Sequence, residues 1–200
     1  MKLGLALGKR SSFPRIEKDA YQTIDPRAVE ALLPVIFQTD ALCLTNGFVT
    51  LQTQPIKYAE PCVGEGKLEA QLTMNQKVPM DCVWASDIQP NDWFQCDALS
   101  LTSVELHDAD VIITNPPWSR DILHKMIDHF RMIKPTWLLF DADWCHTVQS
   151  IPFMEYCTDI VSVGRLRWIP GTKMQGKDNV QWYRFHKYPA ETRFHRRTND

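Results

Sequence analysis

A chain of 200 residues with 44% hydrophobic and 23% charged residues is long enough to form one globular domain with a sizeable core. Its net charge of −2 argues against a protein that coats nucleic acid through bulk positive charge, while a local basic groove stays compatible with it. No apolar stretch reaches the length of a membrane span or a secretory signal, so the sequence predicts a cytoplasmic protein with no membrane partner.

The six cysteines include no C-x-x-C pair, and the histidines do not bracket them at metal-ligand spacing. We expect reduced, mostly buried thiols and no metal site. Residues 1–18 are interpreted as an N-terminal arm, residues 19–187 as the main domain and residues 188–200 as a basic tail. Because cations alternate with aromatic rings in 184–197, this end of the chain fits either a solvated tail or a nucleic-acid contact.

The first predicted element is a helix that starts at Asp25-Pro26, because aspartate caps a helix and proline fits its first turn. Pro34 is expected to kink or end this helix. Short apolar runs then predict buried parallel strands at 56–59, 82–85, 110–114 and 136–140.

Between the last two of these strands, apolar residues recur at helical spacing behind Ser119, which predicts a crossover helix. The runs 160–169 and 180–187 flank a polar segment that contains glycine, and they predict an antiparallel hairpin that completes the sheet. Strands that alternate with helices in this way indicate an α/β fold with a mostly parallel sheet.

The turn after the first of these strands, EPCVGEGKL at 60–68, has two glycines where a ligand can approach the backbone. Pro61 replaces the first glycine of a phosphate-binding loop, and a dinucleotide fingerprint lacks its third glycine at Glu69. The carboxylate of Glu60 instead suits a ligand with positive charge, such as S-adenosylmethionine. A plain structural turn that includes Gly64 and Gly66 is the alternative.

Two acidic residues follow at the next predicted loops. Asp87 lies about 20 residues after the glycine turn, where a carboxylate can accept hydrogen bonds from both ribose hydroxyls of a nucleoside. Asp97 can accept a hydrogen bond from the exocyclic amine of an adenine ring. Each of them, taken alone, also fits a helix cap or a solvated loop residue.

The strand at 110–114 runs into Asn115-Pro116-Pro117-Trp118, and this tetrapeptide is the strongest functional signal in the chain. Consecutive prolines stiffen the turn, so the Asn115 side-chain oxygen and the Pro116 carbonyl can both accept from one planar NH₂ group. A flipped-out base can stack on Trp118. The alternative is a proline turn with Trp118 as a core residue.

These motifs resemble those of the class I, S-adenosylmethionine-dependent amino-methyltransferases, and in particular the compact adenine-specific DNA methyltransferases of bacteriophages and prophages. The resemblance covers most of residues 17–187. It is specific in four motifs. The matching segments are DAYQTIDPRAVEALLP (19–34), EPCVGEGKL (60–68), ASDI (85–88), CDAL (96–99), DVIITNPPW (110–118), and VGRLRWIPG (163–171) with VQWYRF (180–185) as a closing hairpin. It implies a Rossmann-like, mostly parallel, seven-stranded sheet with a C-terminal antiparallel hairpin, in the host cytoplasm if the protein is phage-encoded.

The same resemblance implies a donor site and a catalytic site. The residues implied for binding S-adenosylmethionine are Tyr21, Thr23, Glu60, Pro61, Gly64, Gly66, Asp87, Ile88, Asp97, Ala98 and Asn115, and those implied for catalysis are Asn115, Pro116, Pro117 and Trp118. The long insert with which larger relatives read the target sequence is missing. We therefore expect a short recognition sequence, a lax selectivity, or recognition by the loop at 170–179 and the basic tail. Asp141, Asp143 and Trp144 fit either the target pocket or ordinary loop positions.

The sequence therefore predicts an enzyme that methylates the exocyclic amine of adenine in DNA, with the base flipped out of the helix. The amino group of cytosine, a base in RNA and a glutamine amide in a protein offer the same planar NH₂ group and remain alternatives. A non-catalytic protein that binds the donor or DNA and blocks host restriction is the alternative from another functional class.

Overall fold

The computed structural model describes residues 21–40, 42–45, 48–51, 54–90 and 92–197, and the predicted arm at 1–18 lies outside these ranges. The helices are α1 (Arg27–Asp40), α2 (Lys67–Met74), α3 (Arg120–Ile133) and α4 (Ile151–Met154). The strands are β1 (Leu42–Thr45), β2 (Phe48–Leu51), β3 (Ile56–Glu60), β4 (Met80–Asp87), β5 (Phe94–Gln95), β6 (Val111–Thr114), β7 (Thr136–Asp141), β8 (Cys157–Gly164), β9 (Val180–Phe185) and β10 (Arg193–His195).

β1 and β2 form a separate antiparallel hairpin, and the other strands form one sheet in the order β10-β8-β9-β7-β6-β3-β4-β5. Neighbours in this sheet are parallel except for the two pairs that include β9. The predicted α/β fold, mostly parallel with a C-terminal antiparallel hairpin, is confirmed. The chain runs outward from β3 to β5 and then returns to β6 on the other side of β3. The strand order therefore reverses between β3 and β6, and open α/β sheets generally bind ligands at the carboxyl ends of the strands at such a reversal.

The large sheet has eight strands, whereas seven were predicted, and β10 is the strand that the prediction lacked. This strand lies within the predicted basic tail and pairs in parallel with β8. Two of its side chains support the pairing, because Arg193 and His195 contact one oxygen of the fully buried Asp159 carboxylate at 3.0 and 2.9 Å. The partner carboxylate lies 36 residues before His195, so no local pattern reveals the strand.

Helix α1 continues through Pro34 to Asp40, so the prediction that this proline ends the helix is wrong. Proline removes one backbone donor and leaves the carbonyl four residues earlier without its helical partner. Pro34 and Glu30 are both exposed, so that carbonyl lies on the solvent side of the helix. The opposite side is buried through Val29, Leu32, Leu33 and Ile36, and this packing holds the helix together across the proline.

Apolar side chains fill both faces of the sheet. The α1 and α2 side is built around Trp137 and Trp182, while the α3 side is built around Phe130, Phe140 and Tyr183. Trp144 is fully buried on the α3 side, so its suggested place in a target pocket is corrected to a core position.

Cysteines in the described ranges are free thiols, but only Cys157 is buried and the other four, Cys62, Cys82, Cys96 and Cys145, are half-buried. The expectation of mostly buried thiols was therefore too strong for these five residues, and the side chain of Cys43 lies outside the described part of the chain. No helix in the described ranges combines the length and the apolar character needed to cross a membrane.

Candidate functional site

The glycine turn lies at the carboxyl end of β3, against the end of β4. Gly64 and Gly66 have φ values of 54° and 75°, in the left-handed region that glycine adopts without strain. The backbone N–H of Gly64 donates to Asp87 Oδ2 at 2.8 Å, and a Cβ on Gly66 would lie 2.8 Å from the Trp93 ring. The turn and the Asp87 carboxylate therefore lie together, as the spacing of the two motifs predicts.

Gln22 covers the glycine turn from the N-terminal side. Its Oε1 accepts from the Glu65 N–H at 3.1 Å, and its amide nitrogen lies 2.5 Å from the position of a Cβ on Gly64. The next residue is also tied to this region, because the Thr23 carbonyl accepts from Gln71 Nε2 of α2 at 2.6 Å. Sequence reasoning placed Tyr21 and Thr23 near the donor site but missed Gln22.

Glu60, the last residue of β3, is 1% exposed, and its Oε2 has no hydrogen-bond partner in the described part of the chain. Burial, together with the nearby charges of Glu69 and Asp87, raises the pKa of this carboxyl well above its ordinary value. The hydroxyl oxygen of Thr23 is also buried without a described partner, whereas that of Thr114 interacts with the Cys62 thiol. Buried polar atoms are normally hydrogen-bonded, so the oxygens of Glu60 and Thr23 fit a polar ligand at the carboxyl edge of the sheet.

The acidic residues of the next two loops both make local turn contacts. Asp87 Oδ1 accepts from the Gln89 N–H at 2.9 Å, and the exposed Asp97 caps a short 3₁₀ helix by accepting from the Leu99 N–H at 2.9 Å. Each carboxylate oxygen retains a further lone pair. Beside them Ile88 is 59% exposed, whereas Pro61 and Ala98 are buried. The structure thus shows the local cap role for Asp97 and leaves acceptor capacity for a ligand.

Asn115 follows the fully buried strand β6, and its side-chain amide is bound at both ends. Its Nδ2 donates to the Tyr21 carbonyl at 3.1 Å, and its Oδ1 accepts from Trp118 Nε1 at 3.1 Å. A carbonyl can only accept and an indole N–H can only donate, so this pair of contacts specifies which end of the amide is oxygen. Asn115 therefore presents an oxygen with one remaining lone pair at the carboxyl end of the sheet.

Three aromatic rings lie side by side next to this amide. Trp168 contacts Trp118 edge to face at a centroid distance of 5.6 Å and contacts Tyr21 at 6.4 Å. Trp118 is partly buried and packs against both core clusters. It therefore contributes to the core, as the alternative interpretation expected, and it also contacts Asn115. Trp168 was not among the predicted site residues, because 50 residues of sequence separate it from Trp118.

Trp168 reaches the site because β8 ends at Gly164, five residues before the predicted end of the strand. Gly164 has a φ of 95°, and the following backbone bonds to the start of α1: Arg167 N donates to Asp25 Oδ2 at 3.0 Å and Arg27 Nη2 donates to the Arg165 carbonyl at 2.9 Å. These tertiary bonds replace the ladder bonds that a longer strand would make. The alternation of apolar residues in 160–169 did not reveal them.

A salt bridge joins the first residue of α3 to the end of β7. Arg120 Nη2 lies 3.0 Å from Asp141 Oδ2, and Asp141 Oδ1 accepts from the Asp143 N–H at 3.0 Å. The other terminal nitrogen of Arg120, Nη1, is buried without a partner in the described ranges. Asp141 therefore has a structural role at this edge of the site, and Arg120 joins the residues that sequence reasoning missed.

No protein-family model matches the sequence, and no curated protein is similar to it in sequence. Solved structures are similar in fold. A protein assigned as an RNA methyltransferase from Pyrococcus horikoshii has a TM-score of 0.51 and 14% identity, and the match covers 80% of this chain and 83% of that one. The methyltransferase subunit of a type I restriction-modification system from Streptococcus thermophilus has a TM-score of 0.57 and 9% identity, with coverages of 90% and 48%.

A third structure, assigned as a class I S-adenosylmethionine-dependent methyltransferase from Listeria monocytogenes, has a TM-score of 0.52 and 10% identity, and the match covers 92% of this chain and 68% of that one. The chain thus spans about half the length of the Streptococcus subunit, as the 48% coverage shows, and larger parts of the other two proteins. At these identities the likeness shows the fold, which is the Rossmann-like fold of class I methyltransferases.

Proposed function

We propose that this chain transfers a methyl group from S-adenosylmethionine to the exocyclic amino group of adenine in DNA. The observation that supports this most directly is the orientation of Asn115, whose amide oxygen is held as an acceptor between Tyr21 and Trp118. The amide lies at the end of β6, beside the glycine turn at the end of β3. An acceptor at that place suits a substrate with a planar NH₂ group.

The residues at the carboxyl edge fit S-adenosylmethionine. Glu60 offers a buried, unpartnered carboxyl oxygen to a ligand with positive charge. The hydroxyl of Thr23, which the resemblance also implies for donor binding, is buried as well. Asp87, held against the glycine turn by its bond from Gly64, would bind the ribose, and Asp97 would contact the adenine ring. When bound, this donor supplies an electrophilic methyl group.

Asn115 polarises and orients the target nitrogen in this proposal. The lone pair of an aromatic amine is delocalised into the ring, so the nitrogen is a poor nucleophile. The Asn115 oxygen and the Pro116 carbonyl would accept its two hydrogens and make the lone pair available. Asn115 is neutral and is no strong base, so the nitrogen would lose its proton to solvent only after its bond to the methyl group has formed and the bond from that methyl group to the donor sulfur has broken.

A nucleic-acid base fits the aromatic rings beside Asn115. Stacking of a flipped base on an aromatic ring contributes about 1–3 kcal/mol, and Trp118 is the ring whose position relative to Asn115 is fixed by a hydrogen bond. The similarity to a restriction-modification methyltransferase subunit favours DNA, while the similarity to a protein assigned as an RNA methyltransferase keeps RNA as the second candidate. The amino group of cytosine and a glutamine amide remain alternatives by the same chemistry, as does a non-catalytic binder of the donor or DNA.

The first experiment identifies the methylated product. Purified protein is incubated with isotopically labelled donor and, in separate reactions, with unmethylated DNA, RNA and total protein, each of which is then digested and examined by mass spectrometry. The proposal expects label on the amino nitrogen of adenine from DNA. Label on cytosine, RNA or glutamine would identify a different substrate for the same reaction. Donor binding without transfer to any of these substrates would favour a non-catalytic binding protein.

The second experiment separates the role of Asn115 from donor binding. Asn115→Ala is expected to lower kcat by roughly a hundredfold or more, because it removes an acceptor that acts on the reacting nitrogen, while the Kd for the donor changes little. Trp118→Phe is the companion variant, because it retains an aromatic ring and loses the N–H donor to Asn115. It is expected to bind the donor normally and to lose less activity. Equal loss of donor binding and transfer in Asn115→Ala would contradict the assigned role.

A further inference from the structure

The loop between β8 and β9, residues 165–179, is a basic and largely exposed segment beside the site. It contains four cations, Arg165, Arg167, Lys173 and Lys177, and one carboxylate, Asp178, which gives a charge of +3 in a chain whose net charge is −2. Arg167 is paired with Asp25, whereas the two lysines are exposed and form no salt bridge with a described residue. The loop therefore carries a local excess of positive charge in a protein whose net charge is negative.

The base of this loop is held in place on both sides. Arg165 and Arg167 are bound by Arg27 and Asp25 at the start of α1, and the Gly176 N–H donates to the Leu166 carbonyl at 2.7 Å, which joins the two arms of the loop. A Cβ on Gly176 would lie 2.7 Å from Trp168 Nε1, so the returning arm packs closely on that indole. The lysines thus extend from a supported loop and not from a free chain end.

The same loop directly contacts Trp118, the ring proposed to stack the target base. Trp168 packs edge to face on Trp118 at 5.6 Å, and Trp118 donates to Asn115. The foot of the loop therefore lies next to the position proposed for the target base.

We propose that residues 165–179 bind the phosphate backbone of the nucleic-acid substrate beside the target base, with Lys173 and Lys177 as phosphate contacts. The inference rests on the proposed function for the identity of the neighbouring site. Exposed lysines attract any polyanion, but aromatic rings that can stack a base lie at the foot of this loop, and this combination is typical of nucleic-acid binding. The loop also explains how a chain with a net charge of −2 can bind DNA.

The test measures the salt dependence of DNA binding by the full chain. A fluorescent, unmethylated DNA duplex is titrated with the wild-type protein and with the double variant Lys173→Gln/Lys177→Gln. Each lost phosphate contact lowers the slope of log K against log salt by about 0.9. Two lost contacts mean that the wild type loses about tenfold more affinity than the variant between about 50 and 200 mM salt. The Kd for S-adenosylmethionine is expected to stay unchanged.

The matched control is Lys57→Gln/Lys77→Gln, which removes the same charge from two exposed lysines near the amino ends of β3 and β4, on the opposite edge of the sheet. Equal salt slopes for the loop variant and this control would overturn the inference. If the wild type binds phosphatidylserine vesicles tightly but does not bind DNA, and the loop variant loses the vesicle binding, the partner of the loop is a membrane surface and not nucleic acid.

The two proposals fail in different ways. If DNA is methylated and the loop variant binds it with an unchanged salt slope, the loop inference is wrong and the proposed reaction stands. If the loop variant loses DNA binding but the wild type methylates nothing, the loop inference stands and the proposed reaction is wrong.

Discussion

A side-chain amide between a carbonyl and an indole N–H has one favourable orientation, and Asn115 lies in that position. The contacts come from residues on both sides of it in the chain, Tyr21 and Trp118. They hold the amide before any substrate arrives, so little conformational entropy is lost on binding. This is the kind of preorganisation that a reaction with a poor nucleophile requires.

Glu60 predicts an unusual dependence of stability on pH. Because the pKa of this buried carboxyl is raised in the folded protein, its contribution to stability is fully present below its ordinary pKa of 4.5 and is lost as the pH rises through the raised value. We therefore expect Glu60→Gln to show a smaller fall in Tm than the wild type as the pH increases from about 5 to 9. Thermal unfolding followed by circular dichroism, without donor, measures this difference. Parallel curves for the two proteins would show that the pKa of Glu60 is not raised in the folded protein.

Donor binding should reverse this protonation if Glu60 faces a cationic ligand. The ligand favours the carboxylate, so binding is expected to release a proton and to tighten as the pH rises. Isothermal titration calorimetry in buffers of different ionisation enthalpy measures the released proton. Glu60→Gln should bind without this release, and a wild type that binds the donor without releasing a proton would contradict the role of Glu60 at the ligand.

Individual site residues could be predicted from the sequence where the chemistry lies within one motif. Asn115 directly follows β6, Glu60 ends β3, and the two glycines lie in the turn after β3, so their place at the carboxyl edge of the sheet follows from the strand pattern. Gln22 and Trp168 could not be predicted in this way. Their positions depend on contacts between segments that are distant in sequence, and neither residue has a local pattern that indicates them.

At the scale of elements, Asp25 connects the start of α1 to the segment after β8. Burial opposes its ionisation, but hydrogen bonds and charge from Arg27 and Arg167 outweigh burial and lower the pKa of this carboxyl well below its ordinary 3.8. A lowered carboxyl pKa contributes stability that is present above the ordinary value and is lost as the pH falls. The connection therefore stabilises the neutral-pH structure and weakens in acid.

Asp25→Asn is expected to lower the free energy of unfolding by about 2 kcal/mol at neutral pH, because it removes hydrogen bonds in which both partners are charged. The difference from the wild type should shrink as the pH falls below about 4, because the unfolded chain then binds a proton at this carboxyl while the folded protein still does not. Urea unfolding at several pH values measures both effects. Asp178→Asn, a change at an exposed carboxylate, is the control and should have little effect. A constant difference at every pH would assign the loss to packing.

Elements with a strong local pattern were predicted, and the others were not. α3 and the strands β3, β4, β6 and β7 were predicted because apolar runs and helical spacing are repeated within each of them. β5 has two residues and β10 has three, too few for a pattern, and both are defined by pairing with a longer strand. The hairpin of β1 and β2 had a usable signal in the Asn-Gly pair at 46–47, which sequence reasoning overlooked.

At the scale of the whole molecule, β10 closes one edge of the sheet through a single buried carboxylate. Asp159 contacts Arg193 and His195 of β10 at about 3 Å, while Arg184 of β9 lies 3.8 Å away. Removal of residues 189–200 leaves Asp159 with one distant cation. We expect the truncated chain to lose about 1–3 kcal/mol of unfolding free energy, as measured by urea denaturation.

Asp159→Asn provides the matched test of that explanation. In the truncated chain this substitution removes an under-compensated buried charge and should restore part of the lost stability. In the full chain the same substitution should be destabilising, because it removes charged partners of Arg193 and His195. A change of the same sign in both chains would show that β10 stabilises the sheet by backbone pairing alone.

The reversed strand β9 also sets the order in which the protein can be completed during synthesis. β8 is made before β9, yet it joins the sheet only through β9, which lies between β7 and β8. A nascent chain that has not yet released Val180–Phe185 from the ribosome therefore has β7 as an open edge, with its apolar side chains uncovered. This edge stays open until β9 has left the ribosome, so a translational pause before that point is the moment at which the chain most needs a chaperone.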